Sequence, residues 1–312
     1  MIEILIWIFL FFLGYLTIYF SADKLIDSLE DLSEKTNVSP FLMGLLVIGI
    51  DPEETIASII ASINNLPFIA IGNVVGNSII SFSLCFALPA IFYSLKYEKI
   101  NKFYNYILVL GTLIIGLGLV LDKGLLITGI INLGIFFIYL YRTILNSRNN
   151  NLGEKQMHQK KEKHNIGGDI IKVIIFLILV LIGGEILIFS ANKLIILTPI
   201  QETFFGFVVI AFLTNVEEIT LIIKAIKKEQ TDIGMGGMIG KIIWNIGLTY
   251  GISAIISISV TISVVSIYNT LILLILVCYS FYLNKKSEIN RLDGSILLII
   301  FVLFLILNLS LF

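Results

Sequence analysis

The sequence predicts an all-α polytopic membrane protein of about ten transmembrane helices in two inverted five-helix repeats. Three observations predict it. Of the 312 residues, 57% are hydrophobic and only 14% charged, with a mean hydropathy of +0.99; a soluble domain carries about 25% charged residues. About ten apolar runs are long enough to cross roughly 30 Å of hydrocarbon. Finally, Asp51-Pro52-Glu53-Glu54 and Asn215-Val216-Glu217-Glu218 interrupt apolar runs once in each half, 164 residues apart.

The chain enters an apolar run directly after Met1-Ile2-Glu3, with no basic leader or small-residue cleavage site, so the first span, 2–20, reads as retained. Spans near 41–63, 68–94, 104–121 and 124–142 complete a first repeat, 1–142. The polar stretch 143–169 carries Arg148, Lys155, Lys160, Lys161 and Lys163 and reads as a flexible basic linker, with His158 and His164 as solvated bystanders. The second repeat, 170–312, holds spans near 170–192, 203–226, 233–258, 265–284 and 294–311.

The halves echo each other. Phe20-Ser21-Ala22-Asp23-Lys24-Leu25-Ile26 returns as Phe189-Ser190-Ala191-Asn192-Lys193-Leu194-Ile195, and Gly72-x-x-x-Gly76 returns as Gly236-x-x-x-Gly240. Five spans separate equivalent points, and an odd number inverts the second copy. Basic residues follow odd-numbered spans: Lys96, Lys99 and Lys102, then the linker, then Lys224, Lys227 and Lys228, then Lys285, Lys286 and Arg291. The positive-inside rule therefore makes the linker cytoplasmic and both termini extracellular, in a cell membrane. The segment after the first span departs from this pattern, since Asp27, Glu30, Asp31 and Glu34 outnumber Lys24 and Lys35.

Composition excludes several classes. A net charge of −1 offers no basic surface for nucleic acid. Cys85 and Cys278, both in apolar runs, read as small core residues rather than a disulfide or metal framework. No His-Glu-x-x-His run occurs and no Ser/His pair lies in the spans, so the chain is not read as an enzyme. No cofactor is expected, only transported ions, and a monomer in the bilayer is compatible with everything read.

Carboxylates at bilayer depth cost about 2.5–3.5 kcal/mol or more and mark ion or proton pathways. Asp51, Glu54 and Ser58 share one face of a regular helix, whereas Glu53 points about 100° away from Glu54. Pro52 frees a backbone carbonyl, and a freed carbonyl beside carboxylates suits hard cations such as Na⁺ or Ca²⁺. Thr214, Asn215 and Glu218 offer comparable oxygens in the second half. On the following spans, Asn73, Asn77 and Ser81 form a polar stripe answered by Gly237, Lys241 and Asn245. Gly72, Gly76, Gly236 and Gly240 read as helix-packing positions. Lys241, an ammonium at depth, must pair with an acid; Glu54 or Asp51 is the expected partner, with Glu53 and Glu217 as further charges beside the site. It reads either as a tethered substitute for a transported Na⁺ or as a salt bridge neutralising a site that no longer transports.

These residues resemble the signature repeats of the sodium/calcium exchanger (cation/Ca²⁺ antiporter) superfamily, in a divergent prokaryotic form. The resemblance rests on Gly49, Glu54, Ser58 and Gly72-Asn73-Val74-Val75-Gly76, then on Gly206-Phe207, Ala211-Phe212, Thr214, Glu218 and Gly240. Departures stand at Ile50, Asp51 and Glu53, at Leu213, Asn215 and Glu217, and at Gly237, Lys241 and Asn245. The resemblance implies ten helices in inverted repeats and secondary antiport by alternating access, exchanging Ca²⁺ or another cation for Na⁺ or H⁺. Glu54 and Glu218 would bind the metal ion (Ca²⁺ or Na⁺), with Asp51, Asn77, Ser81, Thr214, Asn215 and Asn245 as further ligands. The alternative reading is an exchanger-like membrane protein that has lost its ion cycle.

Overall fold

The computed structural model describes residues 2–36, 38–65, 67–121, 124–154, 166–197, 215–257 and 264–310. It is an all-α membrane protein, and eight of its described helices are long and apolar enough to cross a bilayer. The first half comprises α1 (Ile2–Thr36), α2 (Pro40–Met43) running into a π-helical turn (Gly44–Ile48), α3 (Pro52–Ile63), α4 (Pro67–Phe92), α5 (Lys102–Val120) and α6 (Gly124–Glu154). The second half comprises α7 (Ile166–Leu197), α8 (Val216–Lys227), α9 (Thr231–Trp244), a second π-helical turn (Asn245–Thr249), α10 (Tyr250–Ser257), α11 (Val264–Lys286) and α12 (Arg291–Ser310).

Burial sorts these helices. In α4, 83% of the apolar window is buried inside the protein, against 17% in α1, so α4 is a central helix and α1 a peripheral one. The core around α4 draws Val75, Ile79, Phe82 and Phe86 together with Ile242, Ile243 and Ile246 of the α9 region and Leu276, Phe301 and Phe304 of α11 and α12. Outward faces stay apolar: Leu5, Phe9, Phe12 and Leu16 on α1, and Ile171, Ile174, Ile175 and Ile178 on α7, are exposed, as lipid contact requires. α1 and α7 run antiparallel and cross where two glycines meet. A Cβ on Gly14 would stand 2.8 Å from the Gly183 carbonyl oxygen, so only the bare backbone lets them approach this closely.

Several expected boundaries move. α1 continues well past residue 20 to Thr36, because its second half has its own partners. Asp27 takes an ion pair from Lys228 at 2.6 Å, Asp23 one from Lys224 at 3.2 Å, and Glu30 a hydrogen bond from Gln230 at 2.7 Å. Asp23 and Asp27 are thus counter-charges for the basic end of α8. The expected linker is helical at both ends, through Glu154 and again from Ile166; His158 and His164 lie outside the described residues. Cys85 is buried as expected, but Cys278 is exposed on the outer side of α11.

The polar connections gather at one end of the bundle. Lys35 at the end of α1 pairs with Asp169 at the start of α7 at 2.7 Å. The Glu98 backbone N–H, after α4, donates to Asp232 at the start of α9 at 2.8 Å. β1 (Leu95–Lys96) pairs antiparallel with β2 (Glu288–Ile289), which joins the exits of α4 and α11. The lysine-bearing exits of α4, α8 and α11 lie at this end.

Candidate functional site

The site is built where helices begin inside the apolar layer. After the first π-helical turn, Gly49, Ile50 and Asp51 leave helical hydrogen bonding, and α3 starts with Pro52. Proline at the first helical position lacks only an N–H that would be unsatisfied there anyway. Asp51 precedes it, and its Oδ1 accepts the Glu54 backbone N–H at 3.4 Å, so Asp51 caps the helix on which Glu54 stands. In the second half Asn215, at φ −109° and ψ 11°, precedes α8 in the same register, with Glu218 at the position matching Glu54. Asp51, Pro52 and a Glu three residues on form the sequence signature of a capped helix start; Pro52 marks the break in the sequence, but with Asp51 placed among the ion ligands its capping role went unread.

Lys241 organises one pole of the site. Its ammonium, on buried α9, makes a close ion pair with Glu218 and lies 3.4 Å from Asp51 Oδ2. All three side chains are buried. Of the expected partners, Asp51 is present; Glu54 is not, and Glu218 takes its place. The reason is register. Glu218 on α8 and Lys241 on α9 lie on adjacent helices of one half, 23 residues apart.

Glu54 forms the other pole, half-buried and held by amides. Its two carboxylate oxygens accept from Asn73 Nδ2 and Asn77 Nδ2, each at 2.5 Å, and Asn73 Nδ2 also reaches Ser58 Oγ at 3.1 Å. Glu54 and Asn77 are again 23 residues apart, so Asn77 and Lys241 occupy matching positions opposite matching glutamates. Ser81 links the two halves, donating to Asn77 Oδ1 at 3.1 Å and to Asn215 Oδ1 at 3.4 Å.

A third group surrounds the second π-helical turn. Trp244 Nε1 donates to Thr55 Oγ1 at 2.9 Å, Thr55 and Thr249 hydroxyls share a 2.7 Å hydrogen bond, and Thr249 Oγ1 donates to Asn245 Oδ1 at 3.4 Å. π-helical turns recur at functional sites because they re-aim side chains. Sequence reasoning missed Thr55, Trp244 and Thr249; the only signal available was polar residues recurring inside an apolar run.

The remaining candidates separate. Thr214 lies outside the described residues, as do Gly206, Phe207, Ala211, Phe212 and Leu213. Glu53 opens α3 beside Pro52, and its side chain is likewise outside the description. The Glu217 carboxylate lies against α7, where a Cβ on Gly184 would stand 2.6 Å from its Oε2; it turns away from Glu218, as adjacent helical residues must. Gly236 and Gly240 do pack closely: a Cβ on Gly240 would meet the Leu45 carbonyl oxygen, and Gly49 lies directly opposite. Among the described residues nothing lies within 4 Å of a Cβ on Gly72, and one on Gly76 would meet only the Phe304 ring, at 3.9 Å. The stretch that matches α2 by the repeat spacing, around 205–209, is not described.

Chemically, the cluster is rich in hard acceptors. Among the described residues Glu218 Oε2 is buried without a hydrogen-bond donor and buried Asn245 Nδ2 without an acceptor, while Asp51 Oδ2 has the Lys241 ammonium at 3.4 Å. An uncompensated buried carboxylate oxygen is what a cation would satisfy. Yet among the described residues no three His, Cys, Asp or Glu side chains converge on one point as a metal cage. The carboxylates stand as two poles instead, one carrying an ammonium.

Comparison with known proteins takes in nearly the whole chain. Residues 6–145 and 169–310 match the family model described as sodium/calcium exchanger protein. An uncharacterised membrane protein of Methanocaldococcus jannaschii is 28% identical over 94% of this chain and 95% of its own length. The sodium/calcium exchanger MaX1 of Methanosarcina acetivorans is 22% identical over 94% and 96%. Among solved structures, the sodium-calcium exchanger NCX_Mj superposes with a TM-score of 0.77 at 24% identity, covering 96% of this chain and 98% of its own.

Proposed function

The chain belongs to the sodium/calcium exchanger family, and from that premise we propose that it is a secondary-active antiporter exchanging Ca²⁺ for Na⁺ or H⁺ across a cell membrane. The observation that carries the reading is the matched pair of glutamates. Glu54 and Glu218 each open a helix within the apolar layer, and each faces a polar side chain 23 residues further on. Equal spacing in both halves supports two inverted five-helix repeats with the ion site between them, the arrangement suited to alternating access. Glu54 and Glu218 bind the cation, with Asp51, Asn77, Ser81, Thr214, Asn215 and Asn245 as further oxygen ligands. The basic connections face the cytoplasm and the termini the outside.

A proteoliposome panel tests this by crossing Ca²⁺, Mg²⁺ and Na⁺ with imposed Na⁺ and pH gradients. Ca²⁺ accumulation driven by an outward Na⁺ or H⁺ gradient is expected. One observation favours the second reading, a scaffold without an ion cycle: Lys241 already pairs with Glu218. Cation binding without flux under every gradient would establish that reading instead.

A further inference from the structure

Two rows of hydroxyls leave the site in the same direction. Along α3, Thr55, Ser58 and Ser62 follow Asp51, and all three are buried. Along the second π-helical turn and α10, Thr249, Ser253 and Ser257 follow Asn245 at four-residue intervals. The rows meet where Thr55 and Thr249 share their 2.7 Å hydrogen bond, and α10 packs against α3 beyond it. Gly251 and Ala254 turn another side of α10 to Gly129 of α6, which leaves Ser253 one turn on from Thr249 on the side of α3. Both helices run away from the basic connections, α3 to the turn before α4 and α10 to Ser257.

Hydroxyls in apolar helices are commonly closed off by donating to the carbonyl four residues back, as Thr55 does to Asp51 at 2.8 Å and Ser62 to Ser58 at 2.9 Å. Ser253 and Ser257 do not. Among the described residues both Oγ atoms are buried without a partner, and Ser253 is completely enclosed. A buried hydroxyl left by its own helix is satisfied by water or a ligand. The other half of the chain has no such rows. At the offset of 164, Thr55, Ser58 and Ser62 answer to Ile219, Ile222 and Ile226 on α8, and Thr249 and Ser253 to Cys85 and Pro89 on α4. Oxygens thus continue the site toward one end of the bundle, where the repeat puts apolar side chains toward the other. From this we propose that the transported cation passes between the site and the outer face along α3 and α10, over the hydroxyls of Thr249, Ser253 and Ser257, an inference that rests on the antiporter reading. Neutral oxygens replace part of an ion's hydration shell without holding it, which suits passage rather than storage. Ser253 therefore serves the ion in transit and is not a ligand of the bound ion.

The test uses the full chain without Cys85 and Cys278, carrying Ser253→Cys, in right-side-out and inside-out membrane vesicles. An impermeant, positively charged thiol reagent should modify Ser253→Cys only from the face opposite the one that modifies Lys227→Cys. That modification should cut Ca²⁺ uptake at least about fivefold, because a bulky fixed cation then stands in the path. In the otherwise unaltered chain, Ser253→Ala should slow uptake about fivefold while equilibrium Ca²⁺ binding changes less than about twofold, and Ser253→Thr should restore the rate. Ser253→Cys left unmodified from both faces, modified from the Lys227 face, or modified without loss of uptake overturns the proposal. Ser253→Ala overturns it if uptake stays at the wild-type rate, or if Ca²⁺ binding falls in step with uptake. Absence of wild-type Ca²⁺ flux under every gradient would instead remove the antiporter reading, and the sidedness of modification would still test the path.

Discussion

At the residue scale, the two glutamates have unequal surroundings and should respond unequally to the same change. Glu218→Gln strips Lys241 of its close partner and leaves the ammonium with Asp51 at 3.4 Å. Breaking a buried ion pair from one side costs about 3–5 kcal/mol. Glu54→Gln keeps one acceptor and turns its new amide toward a donor, which costs about 1–3 kcal/mol. Thermal unfolding in detergent should therefore fall further for Glu218→Gln than for Glu54→Gln; the reverse order would contradict the assigned partners. Lys241's demand for an acid was legible in the sequence, because an ammonium at that depth must be compensated. Which acid it takes was not, since the choice depends on how α8 and α9 pack.

At the element scale, the crossing of α9 with the first π-helical turn depends on glycine. A Cβ on Gly49 would stand 2.7 Å from Gly240 Cα, with the Leu45 carbonyl oxygen at 2.6 Å, and neither neighbour is a flexible side-chain end. Gly49→Ala is expected to destabilise by about 1–3 kcal/mol through overpacking. Gly134→Ala on α6, exposed and with nothing within 4 Å among the described residues, should be neutral or mildly stabilising through helix propensity, about 1 kcal/mol at most. Equal melting shifts for the two would show that the crossing is not glycine-dependent. Apolar length and Pro52 made most spans and the α3 break legible in advance. The extension of α1 to Thr36 was not, because its acids read as a loop until Lys224, Lys228 and Gln230 supplied their partners. The π-helical turn at Asn245–Thr249 leaves no pattern in the sequence at all.

At the scale of the whole molecule, the polar connections meet at one end, through Lys35 with Asp169, Glu98 with Asp232 and the β1–β2 ribbon. The lysine-rich ends of α4, α8 and α11 therefore share a side. In a variant lacking Cys85 and Cys278, single cysteines placed at Lys99 and Lys227 should react with an impermeant thiol reagent only from the cytoplasmic face. A cysteine at Asn64, in the turn between α3 and α4, should react only from outside; labelling of both groups from one face would contradict the topology. The family and an all-α membrane fold were legible from the apolar runs, the glutamates and the glycine spacing. The division of the site into an amide-held pole and a lysine-held pole was not, because it rests on side-chain contacts between helices. The most direct measurement of the central claim is Ca²⁺ uptake into proteoliposomes under an outward Na⁺ or H⁺ gradient, comparing wild type with Glu54→Gln. Uptake should fall at least about tenfold in Glu54→Gln, given the cost of losing a charged cation ligand at depth; uptake equal to wild type would contradict a site built on Glu54 and Glu218.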